Sequence, residues 1–152
     1  RQIEREGYSS NLYLAMASWA ETKGMAGIAA WLYAQADEEK EHMLKFIKWV
    51  NERGGTAIIP EFKKPPVKYK GVPELFAEVL KHEQFISASI NEVLEVAIAE
   101  KDHATTNWIQ WFVDEQVEEE SSAQQIIDKL NLAGANAIYL LDRDIMKLRG
   151  DD

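Results

Sequence analysis

The prolines of this chain are confined to one short segment, and their placement constrains the fold more than any other feature. The four prolines among 152 residues are Pro60, Pro65, Pro66 and Pro73. Proline disrupts a helix interior because it lacks an N–H donor and its ring clashes with the preceding turn. The long tracts on either side are therefore free to form helices, and their apolar residues recur at the helical period.

Glycine, proline and capping residues indicate where these helices begin and end. Gly54 is a natural C-terminal cap, Pro73 suits a first helical turn, and Asp102 can cap the helix that follows it. We predict four long helices, a short fifth helix and one long connection, over residues 1–23, 26–53, 73–101, 104–132, 136–148 and 54–72 respectively. Together they would form one domain over residues 1–152, since the chain is too short for two ordinary ones.

The lengths of the connections predict the topology. The first and second helices, and the third and fourth, are joined by short turns, which makes each pair an antiparallel hairpin. The connection over residues 54–72 is about 19 residues long and could extend roughly 60 Å. A helix of about 28 residues is roughly 42 Å long, so this connection can run the full length of the bundle. The third helix would then start at the same end as the second.

Composition excludes several classes of partner and site. A net charge of −9 argues against nucleic-acid binding. The absence of cysteine excludes disulfides and thiolate metal ligands. No apolar run approaches the roughly 18 residues that span a bilayer, so no membrane association is expected. The opening RQIEREGYSS lacks the apolar stretch of a signal peptide, and we expect a cytoplasmic protein.

Polar residues interrupt the core-facing positions of every long helix. At alternating steps of three and four residues, the second predicted helix is apolar at both ends and polar at its centre. Acidic or amide side chains also interrupt the matching faces of the other helices. The interrupting residues are Glu6 on the first helix, Glu39 and His42 on the second, Glu83 on the third, and Gln116 and Glu119 on the fourth. Antiparallel packing would bring them to one depth in the bundle.

A buried cluster of carboxylates indicates a metal site. Burying an unpaired carboxylate costs several kcal/mol, and several together repel one another unless cations or protons neutralise them. Glu39 and His42 lie three residues apart on one helical face and can both contact one ion. Oxygen ligands with an imidazole and no sulfur suit iron or manganese and tolerate zinc.

Each of these signals is weak alone, and other histidines carry less information. A single Glu-x-x-His on a helix is more often an exposed charge pair. The metal-site prediction depends on polar residues interrupting the core-facing side of all four helices at the same depth. His82 lies off the core-facing positions and is expected to be exposed. His103 lies at a helix end and is expected on the surface.

Five passages of the chain together are highly specific for one family. They are EGYSSNLY (6–13), ADEEKEHM (36–43), KHEQ followed by the spaced INE (81–92), QWFVDEQVEEE (110–120) and IIDKLNLAG (126–134). With these passages the chain resembles the ferritins, and most of all the bacterial non-haem ferritins. The resemblance implies an all-α, ferritin-like four-helix bundle with one long crossover and a short fifth C-terminal helix.

The resemblance also implies roles for individual residues. Glu6, Glu39 and His42 match a first iron site, and Glu39 bridges to a second. The second site adds Glu83, with Gln116 and Glu119 alongside. A third iron site is matched by Glu38, Glu115, Glu118 and Glu119. Tyr13 matches a tyrosine beside the two-iron centre that can donate one electron, so Tyr13 and Glu39 are the expected catalytic residues.

The function that the resemblance implies is iron storage and detoxification. Such proteins are ferroxidases, which oxidise Fe(II) to Fe(III) with O₂ or peroxide and store a ferric mineral inside a shell of twenty-four copies. The chain has Lys40 where bacterioferritins have a haem-binding methionine, and Glu118 where they repeat the histidine of Glu-x-x-His. We therefore expect no haem. Animal ferritins carry two acids where this chain has Thr106 and Ile109, so the route of iron into the shell stays open.

Other functions remain open from the sequence. A rubrerythrin-like peroxidase or oxidase uses a similar bundle, although such proteins usually have a second Glu-x-x-His and a cysteine-bound iron. DNA-protecting mini-ferritins bind metal between subunits and often carry a basic tail, whereas this chain ends in the acidic GDD. A structural bundle, or a subunit that stores mineral without catalysis, would not need the full set of ligands.

Overall fold

The computed structural model describes residues 1–150, so the two aspartates that end the GDD terminus lie outside the described residues. The helices are α1 (Gln2–Thr22), α2 (Ala26–Glu52), α3 (Val72–Ala99), α4 (His103–Ala133) and α5 (Ala137–Asp144). Short 3₁₀ turns flank α5 at Gly134–Asn136 and Ile145–Arg149. No strand occurs within residues 1–150, which confirms the predicted all-α fold.

The helices pack as two hairpins joined by the long connection over residues 53–71. α1 lies along α2, and α3 lies along α4. The Asp102 carboxylate accepts a hydrogen bond from the Thr105 backbone N–H at 3.1 Å and caps α4. Pro73 occupies the first turn of α3. Gly54 follows the end of α2 with a φ of +87°, a left-handed conformation that glycine adopts without steric penalty.

Two apolar clusters divide the core along the bundle. The larger one includes Leu32 on α2, Val79 on α3 and Ile126 on α4. The smaller one consists of Phe46, Ile86, Ile90, Ile109 and Phe112. On α2, α3 and α4, the residues between these clusters are the buried polar ones. The apolar packing at both ends therefore holds a polar layer at fixed depth, where the desolvation of its members is strongest.

The fifth helix differs from the prediction in its second half. A helix was expected over residues 136–148, but the α-helical hydrogen bonding ends at Asp144 and the chain continues as a 3₁₀ turn. Arg143 and Lys147 both contact the Asp144 carboxylate, the latter at 3.1 Å. The 3₁₀ turn is a common, tighter ending for a helix. α5 packs against the start of α2, where the Ile28 N–H donates to Asp142 Oδ1 at 2.9 Å.

Within the described helices, we find no segment with both the length and the hydrophobicity that a membrane crossing requires.

Candidate metal centre

The polar layer draws one or more side chains from each of the four long helices. Its members are buried although they carry charge or amide groups. They are Glu6 from α1, Gln35, Glu39 and His42 from α2, Glu83 from α3, and Gln116 and Glu119 from α4. Glu6, Glu39 and Glu83 have no exposed surface at all. Burying a carboxylate at this depth without a partner costs several kcal/mol, so these side chains are expected to have a function.

Glu6, Glu39 and His42, which we call the ligand cluster, meet in this layer. Each offers one ligand atom, and these atoms all lie within 4.8 Å of one another. His42 Nδ1 lies 3.5 Å from Glu39 Oε2 and 3.8 Å from Glu6 Oε2. The i, i+3 spacing on α2 sets the first distance, and the packing of α1 against α2 sets the second.

The ligand cluster has no hydrogen-bond partners for the atoms that face inward. Both oxygens of Glu39, Oε2 of Glu6 and Nδ1 of His42 are buried and unpaired. Buried polar atoms are almost always hydrogen-bonded, so four orphans in one place indicate a missing partner. A single cation would satisfy three carboxylate oxygens and an imidazole nitrogen at once.

Burial shifts the pKa of every member of the ligand cluster. Burial, and secondarily the charge of Lys45, lower the pKa of His42 to about 4. The imidazole is therefore neutral near pH 7, and its contacts with Glu6 and Glu39 are not ion pairs. Burial also raises the pKa of Glu6 to about 7 and raises that of Glu39, with the neighbouring carboxylates adding to the effect at Glu39. A divalent ion would reverse this by stabilising the charged forms.

Glu83 and Glu119 are already held by hydrogen bonds from neighbouring side chains. Glu83 accepts a hydrogen bond from the Tyr13 hydroxyl at 2.5 Å and one from Gln116 Nε2 at 3.1 Å. Glu119 accepts one from Gln35 Nε2 at 2.8 Å. A metal held by these carboxylates would share their oxygens with the donors or displace them. Pre-positioned donors of this kind fix the orientation of metal-binding carboxylates.

Tyr13 lies in the core with its hydroxyl directed into the polar layer. Its ring is 1% exposed and packs edge-on against Trp31, with ring centroids 6.4 Å apart. Burial, followed by the charges of Glu83, Glu39 and Glu119, raises the pKa of Tyr13 well above its ordinary value. The phenol therefore keeps its proton and donates it to Glu83.

The residues of the predicted third site line a separate cavity, which we call the acidic pocket. It has a volume of about 270 Å³ and contains the side chains of Glu38, Glu115, Glu118 and Glu119. Glu115 is half-buried and Glu118 is exposed. Ligand atoms of His42, Glu115 and Glu119 also lie within 4.8 Å of one another. Glu119 thus connects the polar layer with the acidic pocket.

One histidine was predicted wrongly. His82 was expected to be exposed, but it is partly buried, and its Nε2 lies 2.7 Å from the Ser9 hydroxyl. Ser9 donates its own proton to the Arg5 carbonyl at 2.9 Å, which leaves His82 Nε2 as the donor. Burial lowers the pKa of His82 to about 4. The helical pattern of α3 alone missed this contact because α1 supplies the cover.

Residues 1–133 match the model of one protein family, Ferritin, which describes the ferritin-like domain. A bacterial non-haem ferritin from Campylobacter jejuni is 40% identical over 149 residues, which are 97% of this chain and 89% of the relative. This chain is a member of the ferritin family. The family resemblance predicted from the sequence is confirmed.

Other ferritins agree in sequence and in structure. A bacterial non-haem ferritin from Escherichia coli is 38% identical over 97% of this chain and 90% of the relative. The crystal structure of an open-pore ferritin from Archaeoglobus fulgidus is 40% identical and superimposes with a TM-score of 0.93. That alignment covers 100% of this chain and 92% of the archaeal one. The crossover bundle of this ferritin is therefore the fold of its relatives.

Three residues that contact the carboxylates of this ferritin have no role predicted from the sequence, although Gln35 lies on the predicted core-facing side of the second helix. Gln2 donates to Glu6 Oε1 at 2.6 Å, and Gln35 holds Glu119. Arg149 pairs with Glu38 and donates to Gln35. The spacing of Gln2, four residues before Glu6 on the same helix, was a usable signal. No periodic pattern links Arg149 to α2.

The raised pKa values predict that the metal-free ferritin loses stability as the pH rises through 7 towards 8. Glu6 and Glu119 have pKa values raised by burial to about 7 and about 8, so folded protein holds protons that the unfolded chain has lost. Their contribution is complete below about pH 4.5 and disappears as the pH rises through 7 and 8. His42 and His82 act in the opposite direction, but only between about pH 4 and 6.5.

Denaturant unfolding of the EDTA-treated protein at pH 6.5 and pH 8 measures this effect. Each carboxyl changes stability by up to about 1.4 kcal/mol per pH unit over the range in which only the folded state binds its proton. We expect a clear fall towards pH 8, and a smaller one in Glu119→Gln, whose side chain cannot ionise. Stability that is constant or rising over this range would contradict the assignment.

Proposed function

We propose that this ferritin stores iron and oxidises it first, as a ferroxidase that converts Fe(II) to Fe(III). The observation that carries the proposal is the ligand cluster: three side chains from two helices present buried, unpaired ligand atoms within 4.8 Å of one another. Carboxylates with one imidazole and no thiolate suit Fe(II) and, even better, the harder Fe(III) that forms from it.

The proposed arrangement holds two Fe(II) ions side by side as substrates. Glu6, Glu39 and His42 hold the first ion. Glu39 has two unpaired oxygens and can reach a second ion together with Glu83 and Glu119, with Gln116 alongside. Each Fe(II) gives up one electron to a shared oxidant, and with two protons from solvent these two electrons reduce O₂ to hydrogen peroxide, or hydrogen peroxide to two molecules of water. Carboxylates stabilise the product because they neutralise the additional positive charge.

The neighbouring residues are proposed to support this oxidation. Tyr13 is proposed to supply a further electron to the oxidant and its phenol proton to Glu83, since its hydroxyl donates to Glu83 at 2.5 Å. The apolar clusters on both sides of the polar layer exclude bulk water and keep the carboxylates in place. Glu38, Glu115, Glu118 and Glu119 are proposed to form a third iron site in the acidic pocket, from which ferric ions pass to the mineral.

We also propose that the chain assembles with copies of itself into a shell of twenty-four subunits. Leu14, Tyr33, Leu44 and Trp111 are large apolar side chains that are 37 to 42% exposed on α1, α2 and α4 of the isolated chain. Apolar surface of this kind on a bundle favours burial in subunit interfaces. The cytoplasmic location remains a prediction from the sequence.

Aerobic loading with Fe(II) tests the proposed function. The purified protein should elute at a mass near twenty-four chains, consume oxygen when Fe(II) is added, and retain a coloured ferric product through gel filtration. The same Fe(II) added without oxygen should stay colourless. A rubrerythrin-like oxidase would turn over without retaining mineral. Oxidation no faster than in a protein-free solution, with iron precipitating outside the protein, would refute the proposal.

A further inference from the structure

A single guanidinium group lies among the carboxylates of the acidic pocket. Arg149 ends the 3₁₀ turn that follows α5, and its side chain is 17% exposed. One of its terminal nitrogens forms an ion pair with Glu38. The other donates to Gln35 Oε1 at 2.5 Å. The guanidinium carbon also lies 5.8 Å from the centre of the Trp31 ring, close enough for a cation–π contact.

Gln35 extends the reach of Arg149 to a second carboxylate. Its amide oxygen accepts from Arg149, and its amide nitrogen donates to Glu119 Oε2 at 2.8 Å. Because the two ends of the amide are chemically different, Arg149 and Glu119 together fix its orientation. Arg149 therefore restrains two of the four pocket carboxylates, Glu38 directly and Glu119 through Gln35.

Arginine is suited to this position by its chemistry. The guanidinium keeps its charge at every physiological pH and donates along two directions in one plane. In the acidic pocket it takes the place that a cation would take, next to Glu38 and in the same cavity as Glu115, Glu118 and Glu119. The backbone of α5 and the 3₁₀ turn tether it there, so it never diffuses away as a buffer cation would.

We propose that Arg149 is a positioning residue that competes with metal ions for the acidic pocket. A metal ion that takes Glu38 and Glu119 as ligands has to displace Arg149 from Glu38 and release Gln35 from Glu119. The competition lowers the affinity of the pocket and keeps its ions exchangeable, so that iron passes on instead of being trapped. This inference rests on the proposed third iron site.

Zinc titration of the assembled, metal-free protein tests the competition, because Zn²⁺ binds oxygen and nitrogen ligands without being oxidised. The pocket step is defined as the step in the calorimetric titration that Glu118→Gln weakens. In Arg149→Gln we expect this step to tighten by about tenfold, the size of effect that removal of one nearby charge produces. Arg149→Lys keeps the charge but loses the two-directional contact, and a smaller increase is expected.

Two controls separate competition from a loss of structure. Arg143→Gln removes the same charge from the same C-terminal region, where Arg143 is exposed and paired with Asp144, and it should leave the pocket step unchanged. Adding guanidinium ion at a low, non-denaturing concentration to Arg149→Gln should weaken Zn²⁺ binding back towards the wild-type value. A residue that only holds the C-terminal turn in place would not respond to free guanidinium.

The outcomes are distinct from those of the proposed function. A pocket step that is unchanged or weaker in Arg149→Gln overturns the inference, even if the wild-type protein oxidises iron normally. The absence of any step that depends on Glu118 overturns it as well. If the pocket step tightens while the wild-type protein fails to oxidise Fe(II), the competition stands and the ferroxidase proposal falls.

Discussion

Replacement of Glu39 by alanine is expected to reduce the rapid phase of Fe(II) oxidation by about 100-fold or more, since even the partners of metal ligands contribute 10- to 100-fold to activity. Glu39 lies at the centre of the ligand cluster, is fully buried, and has both oxygens unpaired. In the proposed arrangement it is the one side chain that contacts both ions. Its loss removes a ligand from each ion and the shared contact that holds them together.

The same replacement should leave the fold intact. A buried carboxylate without a partner is a cost to the metal-free protein, and its removal offsets the cavity that alanine leaves, so only a small change in stability is expected in the absence of metal. Glu39→Gln preserves the volume and removes the charge, and it should fail in oxidation to a similar degree. Because Glu39→Gln keeps the packing, a similar failure of both variants would show that metal binding is lost and that packing is not the cause.

Oxygen consumption after addition of Fe(II), measured beside the native mass, checks both halves of this prediction. Glu52→Ala is the matched control, because Glu52 is an exposed glutamate on the same helix. It should oxidise iron at the wild-type rate. Unchanged oxygen consumption by an assembled Glu39→Ala shell would contradict the assignment of the ligand cluster as the oxidation site.

The depth of the polar layer could be predicted from the sequence because it depends on periodicity. Glu39, Glu83 and Glu119 each interrupt an otherwise apolar helix face near its middle, and the topology brings these middles together. The connection of about 19 residues decided the topology, since a chain that long spans the bundle. The predicted all-α bundle with one crossover and a short fifth helix is confirmed.

The partners of the carboxylates could not be predicted in the same way. Gln35 and Arg149 are 114 residues apart in sequence, and their contact depends on where α5 and its 3₁₀ turn fold back onto α2. The predicted exposure of His82 was wrong for a related reason. A helical pattern describes one helix, whereas Ser9, which contacts His82, belongs to another. The roles of the individual metal-site residues remain predictions.

Replacement of Gly27 by alanine is expected to detach α5 from the bundle. A Cβ atom at this position would lie 1.8 Å from the Asp142 carbonyl oxygen, far inside contact distance. The obstacle is backbone, so no side chain can rotate away from it. Alanine is a better helix former than glycine by about 1 kcal/mol, and any loss of stability therefore reports the clash alone.

Detachment of α5 would remove the hydrogen bond between Ile28 N–H and Asp142 and expose Leu141 and Ile145, which are 5% and 0% exposed. Full exposure of two such side chains costs about 3 to 6 kcal/mol, which sets an upper limit. Hydrogen exchange should show loss of amide protection over residues 137–149, with the four long helices unaffected. Ala30→Gly, at an exposed position of α2, is the control that weakens this helix without the clash.

Gly27→Ala also connects the fifth helix with the acidic pocket. Arg149 reaches Glu38 and Gln35 only while α5 and its 3₁₀ turn stay packed on α2. A detached α5 would withdraw the guanidinium, so Gly27→Ala should tighten the Zn²⁺ step of the pocket as Arg149→Gln does. Retained protection of residues 137–149 together with a raised melting temperature would show that the helix accommodates the methyl group, and the proposed coupling would then have no mechanical basis.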